Sequence, residues 1–191
     1  ATDASADQIT HAFPHPQIRY AVATAEASGL PSQSVDLVTV GLALHWLNLE
    51  RFYQEVARVV RPGGAIAVWC TNIFQLPEAT PAVQQLITEL YEELIYPFRP
   101  PEIQIVEDRY QTIPFPFAEI PAPTFSRTAL WTADRLMGYV STWSAAQQLI
   151  AAQGEGAIAN FTDRLRAAWG DPSQPQPVHW QIYLRAGRIA P

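Results

Sequence analysis

The chain has 191 residues and a net charge of −6, and 48% of its residues are hydrophobic against 16% charged. This balance is typical of a folded globular domain, and the lack of any lysine and arginine cluster argues against nucleic acid as a partner. No apolar run is long enough to predict a membrane span, and the single cysteine, Cys70, excludes an internal disulfide and favours a cytoplasmic location.

The first predicted elements are a short helix and two strands. Ser5 can cap a helix that runs to about residue 12, with Gln8 as its capping-box partner. Residues 18–22 are predicted to form a short strand. Val35–Gly41 is a nearly continuous run of apolar and β-branched residues, which is typical of a strand buried on both faces in a parallel sheet.

A helix and a further strand follow. Asn48 can cap the helix, and apolar residues recur at helical spacing behind it: Leu49, Phe52, Tyr53, Val56, Val59 and Val60. Pro62-Gly63-Gly64 is expected to end this helix, and residues 65–70 are predicted to form another buried strand. Strand, helix and strand joined by tight turns indicate a βαβ unit, and therefore a parallel sheet with right-handed crossovers.

Residues 80–123 are predicted to begin as a helix and to continue as an irregular segment. Thr80 can cap the helix and Pro81 suits its first turn, and the apolar face continues to Ile95. Seven prolines fall between residues 97 and 123, which makes a long regular element implausible there. This segment is a candidate lid.

The last third of the chain combines strands and helices. Thr132 is predicted to cap a helix, and Ser144 and Gln147 to form a capping box for the next one, which ends at Gly154. The remaining predicted elements are a strand at residues 125–131, helices at residues 133–139 and 157–169, and a final strand at residues 178–184 with unlike faces.

Two candidate ligand positions lie near the predicted carboxyl ends of early strands, where open α/β sheets bind ligands. Asp3 has paired acceptor oxygens that can take two ribose hydroxyls, although an acid at this position also suits a helix cap. Thr24 and Ala25 follow the strand at residues 18–22. A hydroxyl and successive backbone N–H groups there can read an adenine edge, and an ordinary loop is the alternative.

A third candidate position follows the strand Val35–Gly41. Gly41 at the strand end permits close backbone approach to a ligand. His45 and Trp46 would then lie at the carboxyl rim of the sheet, where binding sites form. The alternative for both side chains is burial in the core.

The order and spacing of these segments resemble the class I S-adenosylmethionine (SAM)-dependent methyltransferases. The segments that carry the resemblance are Ala25-Glu26, Leu30-Pro31, Val35-Asp36-Leu37-Val38, Leu44-His45-Trp46, residues 52–60 and Arg61-Pro62-Gly63-Gly64. They match the third to fifth strands of the family. Leu44-His45-Trp46 and the later Tyr139-Val140-Ser141-Thr142-Trp143-Ser144-Ala145 resemble one subgroup, the trans-aconitate-methyltransferase-like enzymes.

The resemblance implies a SAM site with a substrate site beside it. The implied cofactor contacts are Asp3 on the ribose, Ala4 and Ser5 beside the adenosine, Thr24 and Ala25 at the adenine edge, and Gly41 and Leu42 along the methionyl part. His45 and Trp46 would line the junction of SAM and substrate, with His45 as the candidate catalytic residue. The family usually has an acid where Thr24 stands, so that contact is weakened or made differently here.

The chain departs from the family at its amino end. The family has a Gly-rich loop, which follows its first strand, ahead of the position of Asp3, and the sequence does not contain this loop. Two strand edges are therefore expected to lack a partner. We expect that the natural protein is longer and that this chain alone is inactive.

The resemblance as a whole implies an α/β, Rossmann-like fold, N-terminally truncated, with a mostly parallel sheet and helices on both faces. Residues 1–75 would form the incomplete SAM-binding core. Residues 76–191 would form the substrate-side helices, the proline-rich lid and the C-terminal strands of the same domain. Trp131, Tyr139 and Trp143 are candidates for an aromatic substrate pocket, with core packing as the alternative.

The predicted function is SAM-dependent methyl transfer to a small molecule, and the subgroup resemblance points to a carboxylate oxygen. No metal is expected, because the four histidines lack metal-ligand spacing. Two alternatives stay open at this point. One is methyl transfer to carbon or nitrogen, and the other is a methyltransferase-fold binding module without activity.

Overall fold

The computed structural model describes residues 1–190, which divide into two compact units. Unit 1 contains residues 1–70 and 108–124 and the chain from Tyr183 onward, and unit 2 contains residues 71–107 and 125–182. Within the described residues, no helix is long and apolar enough to cross a bilayer.

Unit 1 is built mainly from strands. A two-stranded parallel sheet pairs β1 (Thr2–Asp3) with β2 (Ala21–Val22), and α1 (Ala6–Thr10) lies between them in sequence. A second sheet has the strand order β3-β4-β7-β5. Its members and the helix that joins the first two are β3 (Val35–Gly41), α2 (Leu49–Val59), β4 (Val60–Thr71), β5 (Ala118–Ile120) and the end of β7 (Gln176–Arg188).

Unit 2 is mainly helical. Its α-helices are α3 (Pro81–Glu89), α4 (Ile103–Glu107), α5 (Ala133–Val140), α6 (Ser144–Gln153) and α7 (Gly156–Trp169). A π-helical segment, Leu90–Ile95, continues α3. β6 (Phe125–Trp131) pairs antiparallel with the first half of β7. The core of this unit includes Val83, Leu90, Leu136, Leu149, Phe161, Leu165 and Val178.

The predicted α/β fold is confirmed, and the larger sheet is mixed. β3 and β4 are parallel and joined by α2, as the βαβ prediction requires. β5 and β6 both pair antiparallel with β7, which gives the sheet an antiparallel part. The caps predicted at Ser5, Asn48, Thr80 and Thr132 are confirmed, since each side chain accepts a hydrogen bond from the backbone N–H three residues on.

The prediction that Val35–Gly41 is buried on both faces is wrong. The strand has the predicted bounds, but of its seven residues only Val40 is buried, and Leu37 is 52% exposed. The reason is its position, because β3 is at the end of the strand order and pairs with β4 alone within the described chain. The buried-strand pattern belongs to β4, where Ile66, Val68 and Cys70 are fully buried.

The end of the helix that Asn48 caps was predicted too late, and Pro62-Gly63-Gly64 does not end it. α2 ends at Val59, before Pro62, and the chain passes directly into β4. Backbone N–H groups of Gln33 and Ser34 satisfy the carbonyls of Arg58 and Val59, at 2.9 and 2.8 Å. Gly64 instead allows the backbone of Asp36 to approach closely, because a Cβ on residue 64 would lie 2.8 Å from the carbonyl oxygen of Asp36.

Two other local predictions were also wrong. The strand predicted at residues 18–22 is limited to Ala21–Val22. The capping box of Ser144 and Gln147 does not form, because Ser144 is already the first helical residue and the N-cap is Trp143. The side chain of Gln147 instead donates to the carbonyl of Ser141, in the tight turn that joins α5 to α6.

Candidate functional site

The first candidate residues meet where β1 and β2 end. Asp3 is exposed, and its Oδ1 accepts the backbone N–H of Ser5 at 2.8 Å, which fixes the orientation of the carboxylate. The carbonyl of Asp3 accepts the N–H of Ala23 at 3.0 Å, so the turn that carries Thr24 begins beside it. The structure thus brings together Asp3, the exposed Ala4 and Ser5 that follow it, and the exposed Thr24 with the half-buried Ala25.

The loop after Thr24 is anchored to α2 and its cap. The N–H of Asn48 donates to Glu26 Oε1 at 2.9 Å, and both the N–H and the hydroxyl of Ser28 donate to Glu55 Oε1. Hydrogen bonds from Arg58 lead the effects that lower the pKa of Glu55 to about 2, so the carboxylate is charged at neutral pH although it is buried. A charged, fully engaged carboxylate holds this loop in place.

The end of β3 is shaped by Trp69 on β4. A Cβ on Gly41 would lie 2.6 Å from Cζ2 of Trp69, so glycine is required here for the close approach of the indole. Leu42 donates its N–H to the carbonyl of Trp69 at 2.9 Å and has a φ of 55°. A left-handed leucine costs about 1 kcal/mol or more, and such strained residues cluster at ligand sites.

His45 and Trp46 lie in a single 3₁₀ turn, Leu44–Trp46, just after β3. Nδ1 of His45 is 3.1 Å from the hydroxyl oxygen of Tyr110, and the imidazole is nearly buried, at 9% exposure. The rings of His45 and Trp46 have centroids 4.7 Å apart, and Trp46 is 50% exposed. The turn therefore presents an exposed aromatic ring beside a buried imidazole.

Tyr110 is a neighbour of His45 that the sequence did not indicate. It is fully buried, and both Arg109 and Tyr110 have left-handed backbones, with φ values of 57° and 59°. Arg185 holds this strained turn, because its guanidinium donates to the carbonyls of Tyr110 and Ile113 and forms an ion pair with Glu119. Tyr110 lies 65 positions after His45, inside the proline-rich segment, and no motif connects the two residues.

Tyr110 and the nearby Cys70 are both neutral at pH 7. Burial raises the pKa of Tyr110 above its usual range, and the backbone N–H groups of Leu44 and His45 oppose this only in part. Burial also raises the pKa of Cys70 to about 12. At neutral pH the phenol and the thiol therefore keep their protons, and Cys70 is not poised as a nucleophile.

The three aromatic residues proposed for a substrate pocket are brought together in unit 2. Trp131 and Tyr139 have ring centroids 5.3 Å apart, and Tyr139 and Trp143 are 5.6 Å apart. Phe74 and Trp180 complete the group, and Trp180 is 4.8 Å from Trp131. Trp131 is only 8% exposed and belongs to the core of unit 2, whereas Tyr139 and Trp143 are partly buried and pack against that core.

The βαβ unit with polar and aromatic residues after its first strand defines a Rossmann-like ligand-binding fold. The family model of the methyltransferase domain matches residues 1–68. A solved structure from Anaeromyxobacter dehalogenans, described as a type II methyltransferase, is 39% identical with a TM-score of 0.84, and the match covers all of this chain and 80% of that one.

Two curated relatives are also methyltransferases by name. One, from Dictyostelium discoideum, is 29% identical over 184 residues, which cover 94% of this chain and 70% of that protein. The other, from Saccharomyces cerevisiae, is named as SAM-dependent and is 41% identical over 54 residues, which cover 28% of this chain and 19% of that protein. The chain belongs to the class I SAM-dependent methyltransferases. The predicted family and enzyme class are confirmed.

Proposed function

We propose that the protein transfers the methyl group of SAM to a carboxylate oxygen of a small organic acid. When SAM is bound, it supplies a methyl group made electrophilic by the sulfonium. The enzyme then has to align donor and acceptor and keep water out. The groups described above supply those two functions at the ends of β1, β2 and β3.

The residues at the ends of β1 and β2 fit the ribose and adenine of SAM. A carboxylate with two acceptor oxygens suits a pair of neighbouring ribose hydroxyls, and the bond from Ser5 keeps the Asp3 carboxylate in one orientation. Thr24 and Ala25 lie beside it on an anchored loop and would face the adenine. Gly41 and Leu42 would border the methionyl part through their backbone.

The observation that carries the carboxylate proposal is the partner of His45. A catalytic histidine base usually has a carboxylate behind its second nitrogen, which stabilises the imidazolium that forms. The described partner of Nδ1 of His45 is the buried hydroxyl of Tyr110, which keeps its proton at neutral pH. A neutral phenol at Nδ1 stabilises an imidazolium less than a carboxylate at that nitrogen would. A carboxylate acceptor is already ionised at neutral pH and needs no base.

Trp46 would form a wall of the acceptor site. Half of its surface is exposed, although it packs against the buried ring of His45. A large apolar ring at this place can orient an acceptor and exclude water from the methyl group. Trp131 is a core residue of unit 2, and the part that the partly buried Tyr139 and Trp143 would take in a substrate pocket stays a prediction.

Replacing His45 by alanine is expected to reduce turnover on a carboxylic acid only modestly, less than about 10-fold. The loss should not vary with pH near neutrality, because the acceptor oxygen is already ionised. The measurement is a pH–rate profile of the wild type and His45→Ala on a panel of small acids and phenols, with the exposed His15→Ala as control. A loss of about 10²–10⁴-fold on a phenol, with no activity on any acid, would show general-base catalysis and contradict the proposal.

A further inference from the structure

The turn that carries Tyr110 is strained and has to be held in place. Arg109 and Tyr110 both have left-handed backbones, with φ values of 57° and 59°, and neither is a glycine. This conformation is unfavourable for residues with a side chain and persists only where surrounding contacts impose it. In this conformation the fully buried Tyr110 places its hydroxyl oxygen 3.1 Å from Nδ1 of His45. The contacts that hold the turn therefore also set the surroundings of His45.

Arg185 on β7 holds both ends of this turn. Its Nη1 donates to the carbonyls of Tyr110 and Ile113, the latter at 3.2 Å. Its Nη2 pairs with the carboxylate of Glu119, and the guanidinium carbon lies 4.5 Å from the centroid of the Phe115 ring. The Arg185 side chain is only 10% exposed. One buried planar group thus binds the start and the end of the turn and is itself fixed by an ion pair and an aromatic ring.

This arrangement depends on the shape of arginine as well as on its charge. A guanidinium presents several N–H groups at fixed angles, so it can serve two carbonyls and a carboxylate at once. A lysine ammonium is a single charged point on a flexible stem and does not reproduce this fork. The strand makes room for the aromatic ring two residues later, because a Cβ on Gly187 would lie 2.9 Å from Cε1 of Phe115.

The chain that follows the turn is held by separate contacts. Tyr53 on α2 donates its hydroxyl to the carbonyl of Pro114 at 2.8 Å. The ring of Tyr53 also packs edge-on against Phe117, with centroids 5.3 Å apart. A change at Tyr53 therefore loosens the same segment without removing the hydrogen bond on the Tyr110 carbonyl.

We propose that Arg185 is a positioning residue for methyl transfer, which keeps the Tyr110 hydroxyl against His45 by binding the Tyr110 carbonyl. Arg185 acts through Tyr110 on the imidazole of the turn Leu44–Trp46 and does not itself contact the acceptor. The inference rests on the proposed function only in assigning His45 to the acceptor site. The linkage from Arg185 to His45 is a property of the protein without substrate.

The first readout therefore needs no substrate. In protein expressed from its complete reading frame and labelled with ¹³C-histidine, the ring C–H signals of His45 are assigned by their loss in His45→Gln. Tyr110→Phe removes the hydroxyl beside the imidazole and should move these signals. Arg185→Lys keeps the charge and loses the fork, and it should move them in the same direction. The double variant should resemble Tyr110→Phe alone, because residues that act through one contact are not additive.

The second readout is turnover on the best acceptor of the panel of acids and phenols. Arg185→Lys should lower kcat/KM about 3-fold, the effect of one modest hydrogen bond, and leave SAM affinity unchanged. Arg185→Met should lose the same amount, since the fork is missing in both variants. If Arg185→Lys does not fold, Glu119→Gln is the milder variant, because it removes only the charge that fixes the guanidinium, and it should move the His45 signals in the same direction.

Tyr53→Phe is the matched control. It removes a hydrogen bond from the same segment, should lower stability, and should leave the His45 signals and kcat/KM unchanged. The proposal is overturned if Arg185→Lys leaves the His45 signals where they are, or if its effect adds fully to that of Tyr110→Phe. It is also overturned if Tyr53→Phe moves the signals equally, which would show general loosening, or if Arg185→Lys keeps the turnover that Arg185→Met loses, which would show a pure charge effect. An enzyme found to methylate carbon or nitrogen would refute the proposed acceptor, and the His45 signals would still decide the role of Arg185.

Discussion

Replacing Asp3 by asparagine is expected to weaken SAM binding about 10- to 100-fold. The carboxylate would accept hydrogen bonds from ribose hydroxyls as a charged group, and such bonds contribute about 1.5–3 kcal/mol. Asparagine preserves the size of the side chain and one acceptor oxygen, which can still take the N–H of Ser5. The change therefore isolates the charge and the second acceptor oxygen. Calorimetric titration of SAM into protein expressed from its complete reading frame measures the effect.

The matched control is Asp7→Asn. Asp7 is an exposed acid four residues further on, in the first turn of α1. Its replacement by asparagine removes the same charge from the same region. The SAM affinity of Asp7→Asn should equal that of the wild type within a factor of two or so, because an exposed charge that does not contact the ligand is largely screened. Equal losses in the two variants would mean that only the overall charge matters, and unchanged affinity in Asp3→Asn would remove Asp3 from the site.

Trp180→Ala is expected to lower the free energy of unfolding by about 3–5 kcal/mol, the usual cost of removing a buried tryptophan. The indole is 5% exposed and contacts the rings of Trp131, Tyr139 and Phe74, so its loss leaves a cavity that these large rings cannot fill. Chemical denaturation followed by circular dichroism gives the free energy.

Trp46→Ala provides the comparison, because it removes the same side chain from a half-exposed position. It should cost less than about 1 kcal/mol of stability and lower turnover more than SAM affinity. If instead Trp46→Ala destabilises as much as Trp180→Ala, the ring is a core residue. If it leaves turnover unchanged, Trp46 is not a wall of the acceptor site.

Local elements were largely predictable because their signals are short-range. The helix Leu49–Val59 has an apolar stripe and an asparagine cap, and it begins where the sequence predicts, although it ends earlier than predicted. The bounds of β3 follow equally directly from its run of β-branched residues. The burial of β3 was not predictable, because it depends on which strands pair with it, and that is set by the whole sheet.

The candidate site could be predicted only in part. The residues at the strand ends, such as Asp3 and His45, were proposed as site residues because family motifs and strand patterns point to the same rim. Tyr110 was not proposed, because the residue that contacts His45 lies in an irregular, proline-rich segment with a left-handed backbone. Whether an aromatic ring such as Trp131 lies in a pocket or in the core likewise depends on its neighbours in space, and periodicity does not encode these.

The most direct test of the account is to identify the methylated product. The protein, expressed from its complete reading frame, is incubated with SAM that carries an isotopically labelled methyl group and with matched pools of small carboxylic acids, phenols and amines. The account predicts that the label enters a methyl ester, which releases labelled methanol on mild alkaline hydrolysis. Label found in an alkali-stable ether, an N-methyl group or a C-methyl group would contradict it, as would bound SAM with no transfer to any acid.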